Sequence, residues 1–343
     1  MPTIKIILLL TLSLLLPLFA KAQRGSYAKL AAGDHFGMVI KTDGTLWGFG
    51  DNGHGEVGNG TNVECHTPVK VLSNVKSVDC GVDLTMAILN DGTLYGWGMN
   101  RNGQVGDGTT TDRYKPVKII PNVNSVSAGG WHAMAILNDG TLYGWGSNEY
   151  GQLGNGSTTD SQVPLKILSN VKSVSCGGGH TMALLEDGSL YAWGNNEHGQ
   201  LGDGTTKNHL TPVKVLSNVR SVDCGDNHTM AILNDGTLYG WGDNSDGQLG
   251  DGKTTNRLTP VKVLSNVKTV SSGYWHTMAI INDGSLYGWG WNEAGELGTG
   301  NTEDSYIPVK VESGVSKVAS GEGFTIYITE DGDFKTVGEV FEE

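Results

Sequence analysis

Four histidines recur at one interval along the chain, and imidazole is a common metal ligand and proton carrier. A zinc ion needs its nitrogen ligands at roughly 2.0–2.1 Å, a convergence that we do not expect from side chains on separate repeat units. Other copies of the interval carry large apolar residues at this position, which indicates packing. We therefore predict no metal site here, and expect each imidazole to bond to backbone within its own repeat. The histidines are His132, His180, His228 and His276, and their counterparts are Phe36, Leu84 and Phe324.

Aspartates that precede glycine raise the question of calcium binding, because Ca²⁺ prefers carboxylate oxygens. Asparagine or threonine replaces them in other copies, so turn formation explains the position better. The residues compared are Asp107, Asp203 and Asp251 against Asn59, Asn155 and Thr299. The chain also has no Gly-x-Ser-x-Gly elbow, no His-Glu-x-x-His pair and no phosphate-binding loop. We predict a protein that is not an enzyme and uses no cofactor.

These positions belong to a repeat that organises almost the whole chain. An Asp-Gly pair recurs every 48 residues without insertion or deletion. A unit this short buries its apolar face only by stacking on its neighbours, so the repeat defines the architecture. The seven pairs begin at Asp43, Asp91, Asp139, Asp187, Asp235, Asp283 and Asp331.

Residues 123–170 show what one repeat contains. Four short runs have strand patterning, and Asp139-Gly140 between the second and third is a hairpin signal. The fourth run is expected to start at Pro164, as the first residue of an outer edge strand. The runs are 123–129, 132–137, 142–146 and 164–168. We predict an all-β, seven-bladed β-propeller of four-stranded antiparallel blades, because the 52 glycines and the absence of helical spacing exclude a helical solenoid.

The last blade is predicted to be incomplete. The seventh repeat reaches Glu343 before its glycine-rich loop and its fourth strand. One period before Pro68 the missing strand would fall at residues 20–24. Either residues 338–343 fold back as a short outer strand, or the blade has three strands.

The first 22 residues have the pattern of a secretory signal peptide. Lys5 precedes an apolar run at 6–16, and small residues precede a cleavage site after Ala22. We predict a secreted or periplasmic protein with one propeller domain at 23–343, and no later run is long enough to span a membrane. Removing residues 1–22 would change the formal net charge from −13 to −15, because Lys5 and Lys21 are lost. A surface this acidic argues against nucleic-acid binding.

Four cysteines in an exported protein would ordinarily suggest disulfides. Three of them, Cys80, Cys176 and Cys224, share one repeat position, where other copies hold alanine or serine. Such a position is typical of tight packing, and residues on separate repeats lie too far apart to be bridged. We predict free thiols.

The repeat signature resembles a known family. Gly-x-x-His at 129–132, 177–180, 225–228 and 273–276 precedes Asp-Gly-x-Leu-Tyr-x-Trp-Gly and Asn-x-x-Gly-Gln-Leu-Gly. This combination resembles the regulator of chromosome condensation repeat family over residues 29–338, and six of the seven copies carry the long signature, some with conservative replacements. The resemblance implies a seven-bladed propeller. Its members include a nuclear exchange factor for a small GTPase, a plant photoreceptor and secreted inhibitors of β-lactamase, so the function depends on the site.

The repeats differ most in the two residues between the fixed glycine and the histidine position. These residues follow the innermost strand, so they should surround one mouth of the central channel. Exposed aromatic residues with acids beside them are typical of protein-binding surfaces. A second variable position follows the Trp-Gly strand and contributes Trp291. We predict a partner-binding site formed by Asp34, His35, Asp83, Trp131, Asp226, Asn227, Tyr274, Trp275, Trp291 and Glu322.

The sequence thus favours an exported, non-enzymatic protein-interaction module that is a monomer and spans no membrane. One alternative is an inhibitor of an extracellular or periplasmic enzyme, similar to the β-lactamase inhibitors of the family. A second alternative is a guanine-nucleotide exchange factor for a small GTPase. Photoreception is disfavoured, because the family's receptor places arginine between tryptophan and histidine, whereas Trp131 and Trp275 directly precede theirs.

Overall fold

The computed structural model describes residues 27–340 and shows seven antiparallel sheets that follow one another along the chain. Six sheets have four strands each, and the seventh has three. The predicted signal peptide at residues 1–22 lies outside the described residues. No helix within the described range is long and apolar enough to cross a membrane. The predicted seven-bladed β-propeller is confirmed.

Each blade runs from an innermost strand beside the central axis to an outer edge strand. The innermost strands are β1 (Tyr27–Ala32), β5 (Val75–Cys80), β9 (Val123–Ala128), β13 (Val171–Cys176), β17 (Val219–Cys224), β21 (Val267–Ser272) and β25 (Val315–Ser320). The second strands are β2 (Phe36–Lys41), β6 (Leu84–Leu89), β10 (His132–Leu137), β14 (His180–Leu185), β18 (His228–Leu233), β22 (His276–Ile281) and β26 (Phe324–Thr329). The third strands are β3 (Leu46–Gly50), β7 (Leu94–Gly98), β11 (Leu142–Gly146), β15 (Leu190–Gly194), β19 (Leu238–Gly242), β23 (Leu286–Gly290) and β27 (Phe334–Gly338). The outer strands are β4 (Cys65–Leu72), β8 (Arg113–Lys118), β12 (Ser161–Leu168), β16 (His209–Leu216), β20 (Arg257–Leu264) and β24 (Ser305–Glu312).

The Asp-Gly pair makes the predicted hairpin between the second and third strands. In the third blade Gly140 has a φ of 77°, a left-handed conformation that glycine adopts without strain. Asp139 accepts a hydrogen bond from the backbone N–H of Thr141 at 2.9 Å, which closes the turn. Strands β10 and β11 then pair in continuous register from His132 opposite Gly146 to Ile136 opposite Leu142.

The prediction for the fourth strand was wrong at its start. Strand β12 begins at Ser161, three residues before Pro164. Its pairing with β11 is interrupted between Gly144 and Gly146, and Pro164 lies in this irregular stretch. A proline needs no ladder partner at a bulge on an edge strand, so the strand continues through it.

The seventh blade has three strands in the described residues: β25, β26 and β27. Of the two alternatives for the last blade, the three-stranded one is therefore confirmed. This blade packs directly against the first. Tyr27 packs against Phe334 with tilted rings whose centroids are 5.4 Å apart, and Phe49 meets the same ring edge-on at 6.2 Å. We call the contact between the seventh and first blades the closure seam.

The core consists of apolar clusters between neighbouring blades. Trp193 of the fourth blade, for example, is fully buried against Met134, Leu142 and Leu153 of the third. A ring this large contributes much of the apolar area that is buried between the two blades. The four cysteines are free, as predicted, and all four are buried.

The repeated histidines bind the next blade, not backbone of their own, so that prediction was wrong. His132 Nε2 lies 2.9 Å from Thr181 Oγ1, and the Thr181 hydroxyl donates to the Gln152 carbonyl at 2.8 Å. Because the hydroxyl hydrogen is used there, the imidazole must donate its Nε2–H to Thr181. Burial lowers the pKa of His132 to about 3, which keeps the ring neutral. The same hydrogen bond to a threonine of the next blade is made by His180, His228 and His276.

A second polar link joins the innermost strands. The Ser127 hydroxyl accepts a hydrogen bond from the Cys176 backbone N–H of the next blade at 3.1 Å. The equivalent acceptors at four other contacts between blades are Asp79, Ser175, Asp223 and Ser271. At the closure seam this position is Ala319, and the histidine position is Phe324. The closure seam therefore lacks both repeated polar links in the described structure.

Candidate functional site

The variable turn residues lie at one mouth of the axial channel. Each turn follows an innermost strand, and backbone hydrogen bonds join neighbouring turns into a rim, as from Gly178 N–H to the Asp226 carbonyl at 2.9 Å. In five blades the first residue of the pair lines a cavity of about 370 Å³ on the axis: Val82, Gly130, Gly178, Asp226 and Tyr274. The second residue lies farther out on the same face. The structure thus places the variable turns at the mouth of the channel.

In each blade one backbone hydrogen bond brings the variable turn next to the variable residue that follows the third strand. The residue after the third strand donates its N–H to the carbonyl of the second turn residue, as from Trp291 to Trp275 at 2.9 Å and from Ser147 to Trp131 at 2.8 Å. In the sixth blade this contact brings two tryptophans together. In the third blade the neighbour at this position is a serine instead of an aromatic residue, and Trp131 is 47% exposed.

Three aromatic rings of the sixth blade form one cluster, which we call the aromatic cluster: Tyr274, Trp275 and Trp291. Trp275 meets Tyr274 edge-on at 5.8 Å and Trp291 edge-on at 5.5 Å. Edge-to-face packing holds the rings in a fixed orientation. All three side chains are half-buried, so the cluster offers a rigid apolar surface at the mouth.

Carboxylates lie beside the aromatic cluster and are poorly solvated. Burial raises the pKa of Asp226 and of Asp83 above the usual range. The Tyr274 hydroxyl is buried without a hydrogen-bond partner among the described residues, and burial together with Asp226 and Asp83 raises its pKa. Asn227 Nδ2 donates to Asp226 Oδ2 at 2.6 Å and holds that carboxylate in place. Asp226 also extends toward Gly178, where a Cβ would lie only 1.9 Å from Oδ1.

A second group of predicted residues meets at the closure seam. His35 Nε2 lies 3.7 Å from Asp34 Oδ1 and 3.3 Å from Glu322 Oε2. The backbone N–H of Glu322 donates to the Asp34 carbonyl at 3.2 Å. Eight of the ten predicted residues therefore form two groups, at the aromatic cluster and at the seam, whereas Asp83 and Trp131 lie on the second and third blades.

The channel wall contains two acids that the sequence analysis did not single out. Asp79 and Asp223 line the cavity below the mouth, and burial raises their pKa to about 7 and about 6. Their position in the repeat otherwise holds serine or alanine, so the departure from small neutral residues was a signal available in the sequence. They give the channel interior an acidic character above neutral pH.

Comparison with known sequences identifies the family. Residues 15–265 and 169–342 match the sequence model of the RCC1-like domain. The chain belongs to the RCC1-like domain family. The resemblance drawn from the repeat signature is confirmed. A comparison with curated proteins gives no match.

Solved structures share the RCC1-like fold. Human WBSCR16 is 24% identical with a TM-score of 0.80, over 88% of this chain and 87% of that one. Prp20p from Saccharomyces cerevisiae is 22% identical with a TM-score of 0.79, over 89% of this chain and 84% of that one. The CRINKLY ectodomain of the Arabidopsis thaliana receptor kinase ACR4 is 16% identical with a TM-score of 0.56, over 93% of this chain and 96% of that one. At these identities the likeness concerns the fold alone.

Proposed function

We propose that this RCC1-like propeller is an exported, non-enzymatic interaction module that binds a protein partner at the channel mouth. The observation that carries the proposal is the aromatic cluster. Two tryptophans and a tyrosine in rigid contact at the edge of a concave surface are the residue types that dominate binding energy at protein interfaces. A propeller needs no such rings for packing at this point, since most other blades carry small or polar residues there.

The charge around the aromatic cluster favours a partner segment that presents arginine or lysine. Asp83 and Asp226 are largely buried, and burial destabilises their ionised forms, as their raised pKa values show. A cationic side chain beside Asp226 would stabilise that anion and could pack over the indole faces at the same time. The net charge of −13 would attract such a segment from a distance.

Structural relatives support the use of this fold for binding proteins. The structure of Prp20p is described together with its binding to Gsp1p and histones, and yeast RCC1 (Prp20) has been solved with Kap60 bound to it. For this chain, inhibition of an exported enzyme and nucleotide exchange on a small GTPase are the more specific alternatives. Both are forms of partner binding, and direct assays separate them: hydrolysis of nitrocefin by a class A β-lactamase, and release of labelled GDP from a GTPase.

Peptide display on the immobilised protein tests the proposal and does not require the partner to be identified first. We expect enriched peptides to carry arginine or lysine next to an apolar residue. A Trp275→Ala, Trp291→Ala double variant should bind these peptides at least tenfold more weakly, which corresponds to about 1.4 kcal/mol. Trp47→Ala is the matched control. Trp47 is also half-buried, but its indole bonds to Thr45 at the hairpin end of the first blade.

The proposal fails if the double variant retains the affinity of the wild type, or if Trp47→Ala weakens binding equally. Enrichment of acidic peptides would refute the charge argument while leaving the aromatic cluster as the binding surface.

A further inference from the structure

The closure seam is the contact between blades where a propeller is most easily opened, because no chain connection between residues 27 and 340 crosses it. It lacks the serine or aspartate link of the innermost strands, since Ala319 stands at that position. It also lacks the histidine–threonine bond, since Phe324 replaces the histidine and Gly37 stands where the next blades carry threonine or alanine. The seventh blade has three strands in the described residues, so it contributes less sheet to the contact.

Three polar side chains that do not recur in every repeat lie together at this seam. Asp34 and His35 come from the first blade and Glu322 from the seventh, and one ligand atom of each lies within 4.8 Å of the others. All three side chains are only about one-fifth exposed. Asp34 Oδ1 is buried and has no hydrogen-bond partner among the described residues. Two carboxylates held this close repel each other unless a cation lies between them.

The two distances from the imidazole nitrogen to the carboxylates are close to those around a small divalent ion. Around a tetrahedral zinc ion, bonds of about 2.0–2.1 Å place neighbouring ligand atoms about 3.3–3.4 Å apart. His35 Nε2 is 3.3 Å from Glu322 Oε2 and 3.7 Å from Asp34 Oδ1. A small rotation of either carboxylate would therefore bring all three atoms onto one ion.

We propose that Asp34, His35 and Glu322 bind a zinc-class divalent cation that joins the first and seventh blades. The imidazole selects a first-row transition ion over Ca²⁺ and Mg²⁺, which prefer oxygen ligands alone. Three protein ligands leave a fourth coordination position open at the channel mouth. The ion replaces the polar links that the closure seam lacks. Because it connects residues near the two ends of the chain, it closes a long loop, where a cross-link restricts the unfolded chain most.

The site differs from the repeated histidines, which stay excluded as ligands because each donates its Nε2–H to a threonine and is fully buried between two blades. It is also independent of partner binding at the aromatic cluster, which belongs to the sixth blade. Failure of the cation site would therefore not contradict partner binding at the aromatic cluster, and the reverse also holds.

Zinc titration of the chelator-treated full-length protein tests the site, with ZnCl₂ alone as the probe. Calorimetry should give one equivalent of bound Zn²⁺, and the thermal midpoint should rise with Zn²⁺ and stay unchanged with Mg²⁺. Cobalt(II) should produce the visible absorption of a tetrahedral complex. His35→Ala and Glu322→Gln should each weaken zinc binding at least tenfold and abolish the thermal shift.

His209→Ala is the matched control, because His209 also pairs with a carboxylate, Asp203, at 2.7 Å but has a single one. This variant should bind zinc as the wild type does. Equal binding by wild type and His35→Ala, or no binding by the wild type, would overturn the proposal. If His35→Ala lowers the thermal midpoint equally with and without zinc, the imidazole stabilises the seam through its direct contacts with the carboxylates, and the proposal is overturned.

Discussion

Replacement of Glu56 by glutamine should stabilise the protein at alkaline pH but hardly at acidic pH. Four other repeats carry glutamine at this position: Gln104, Gln152, Gln200 and Gln248. Glu56 is fully buried, and its Oε2 accepts the backbone N–H of His54 at 2.8 Å, as the glutamine oxygen does elsewhere. Its Oε1 has no hydrogen-bond partner among the described residues. A carboxamide keeps the first bond and removes the charge.

The magnitude follows from the pKa of Glu56, which burial raises from 4.5 to about 7, with Asp51 and Asp83 contributing in the same direction. Because the folded pKa lies above the unfolded one, the contribution of Glu56 to stability is complete below pH 4.5. It is lost as the pH rises through about 7. The difference between the two pKa values corresponds to about 3 kcal/mol at about 1.36 kcal/mol for each unit. Glutamine does not titrate, so the free energy of unfolding of Glu56→Gln relative to wild type should rise by about 2–3 kcal/mol from pH 5 to pH 8.

Denaturant unfolding at the two pH values measures this difference. Gln152→Glu is the reverse substitution: the Gln152 side chain accepts from the Tyr150 backbone at 2.9 Å and donates to the Ser147 hydroxyl at 3.2 Å. It should lose stability as the pH rises. If Glu56→Gln differs from wild type by the same amount at both pH values, the carboxyl is not protonated in the folded protein and the reasoning is wrong.

Three further predictions concern the packing between blades. Thr229→Val removes the acceptor that lies 3.0 Å from His180 Nε2 and should lower the free energy of unfolding by about 1–3 kcal/mol; no loss would show that the imidazole finds another partner. Gly250→Ala should destabilise more than Gly300→Ala, because both backbones have positive φ but only Gly250 would place its Cβ 2.7 Å from the Trp289 indole. Equal losses would mean that the backbone strain alone matters. The four thiols are buried with raised pKa values and should react with a thiol reagent only after unfolding, so any rapid reaction of the folded protein would contradict their placement.

The fold was predictable because every blade is a local unit. The hairpin at Asp139-Gly140 is formed by residues that are adjacent in the chain, and its turn chemistry determines its register. The start of the outer strand was not predictable in the same way. Pro164 indicates an edge strand but not the residue at which that strand begins. The pairing of Ser161 with Gly146 depends on how the glycine-rich loop returns to the sheet.

The candidate site was predictable only in part. Variation between repeats identifies Trp275 and Trp291 separately as candidate binding residues. Their edge-to-face contact depends on the backbone hydrogen bond between the two positions. The histidine prediction was wrong for a related reason. The acceptor for His132 is a threonine of the next blade, and the repeat period does not reveal which side chains face each other across the gap.

By itself, the sequence determined the number of blades, the strand order within a blade and the residues that are free to vary, since these depend on local pairing and on a constant period. Only the tertiary structure decided which variable residues meet. Asp34 and Glu322 lie near opposite ends of the chain, and ring closure brings them to the same seam. A contact of this kind depends on the summed rotation of all seven blades about the axis, a quantity that no single repeat encodes.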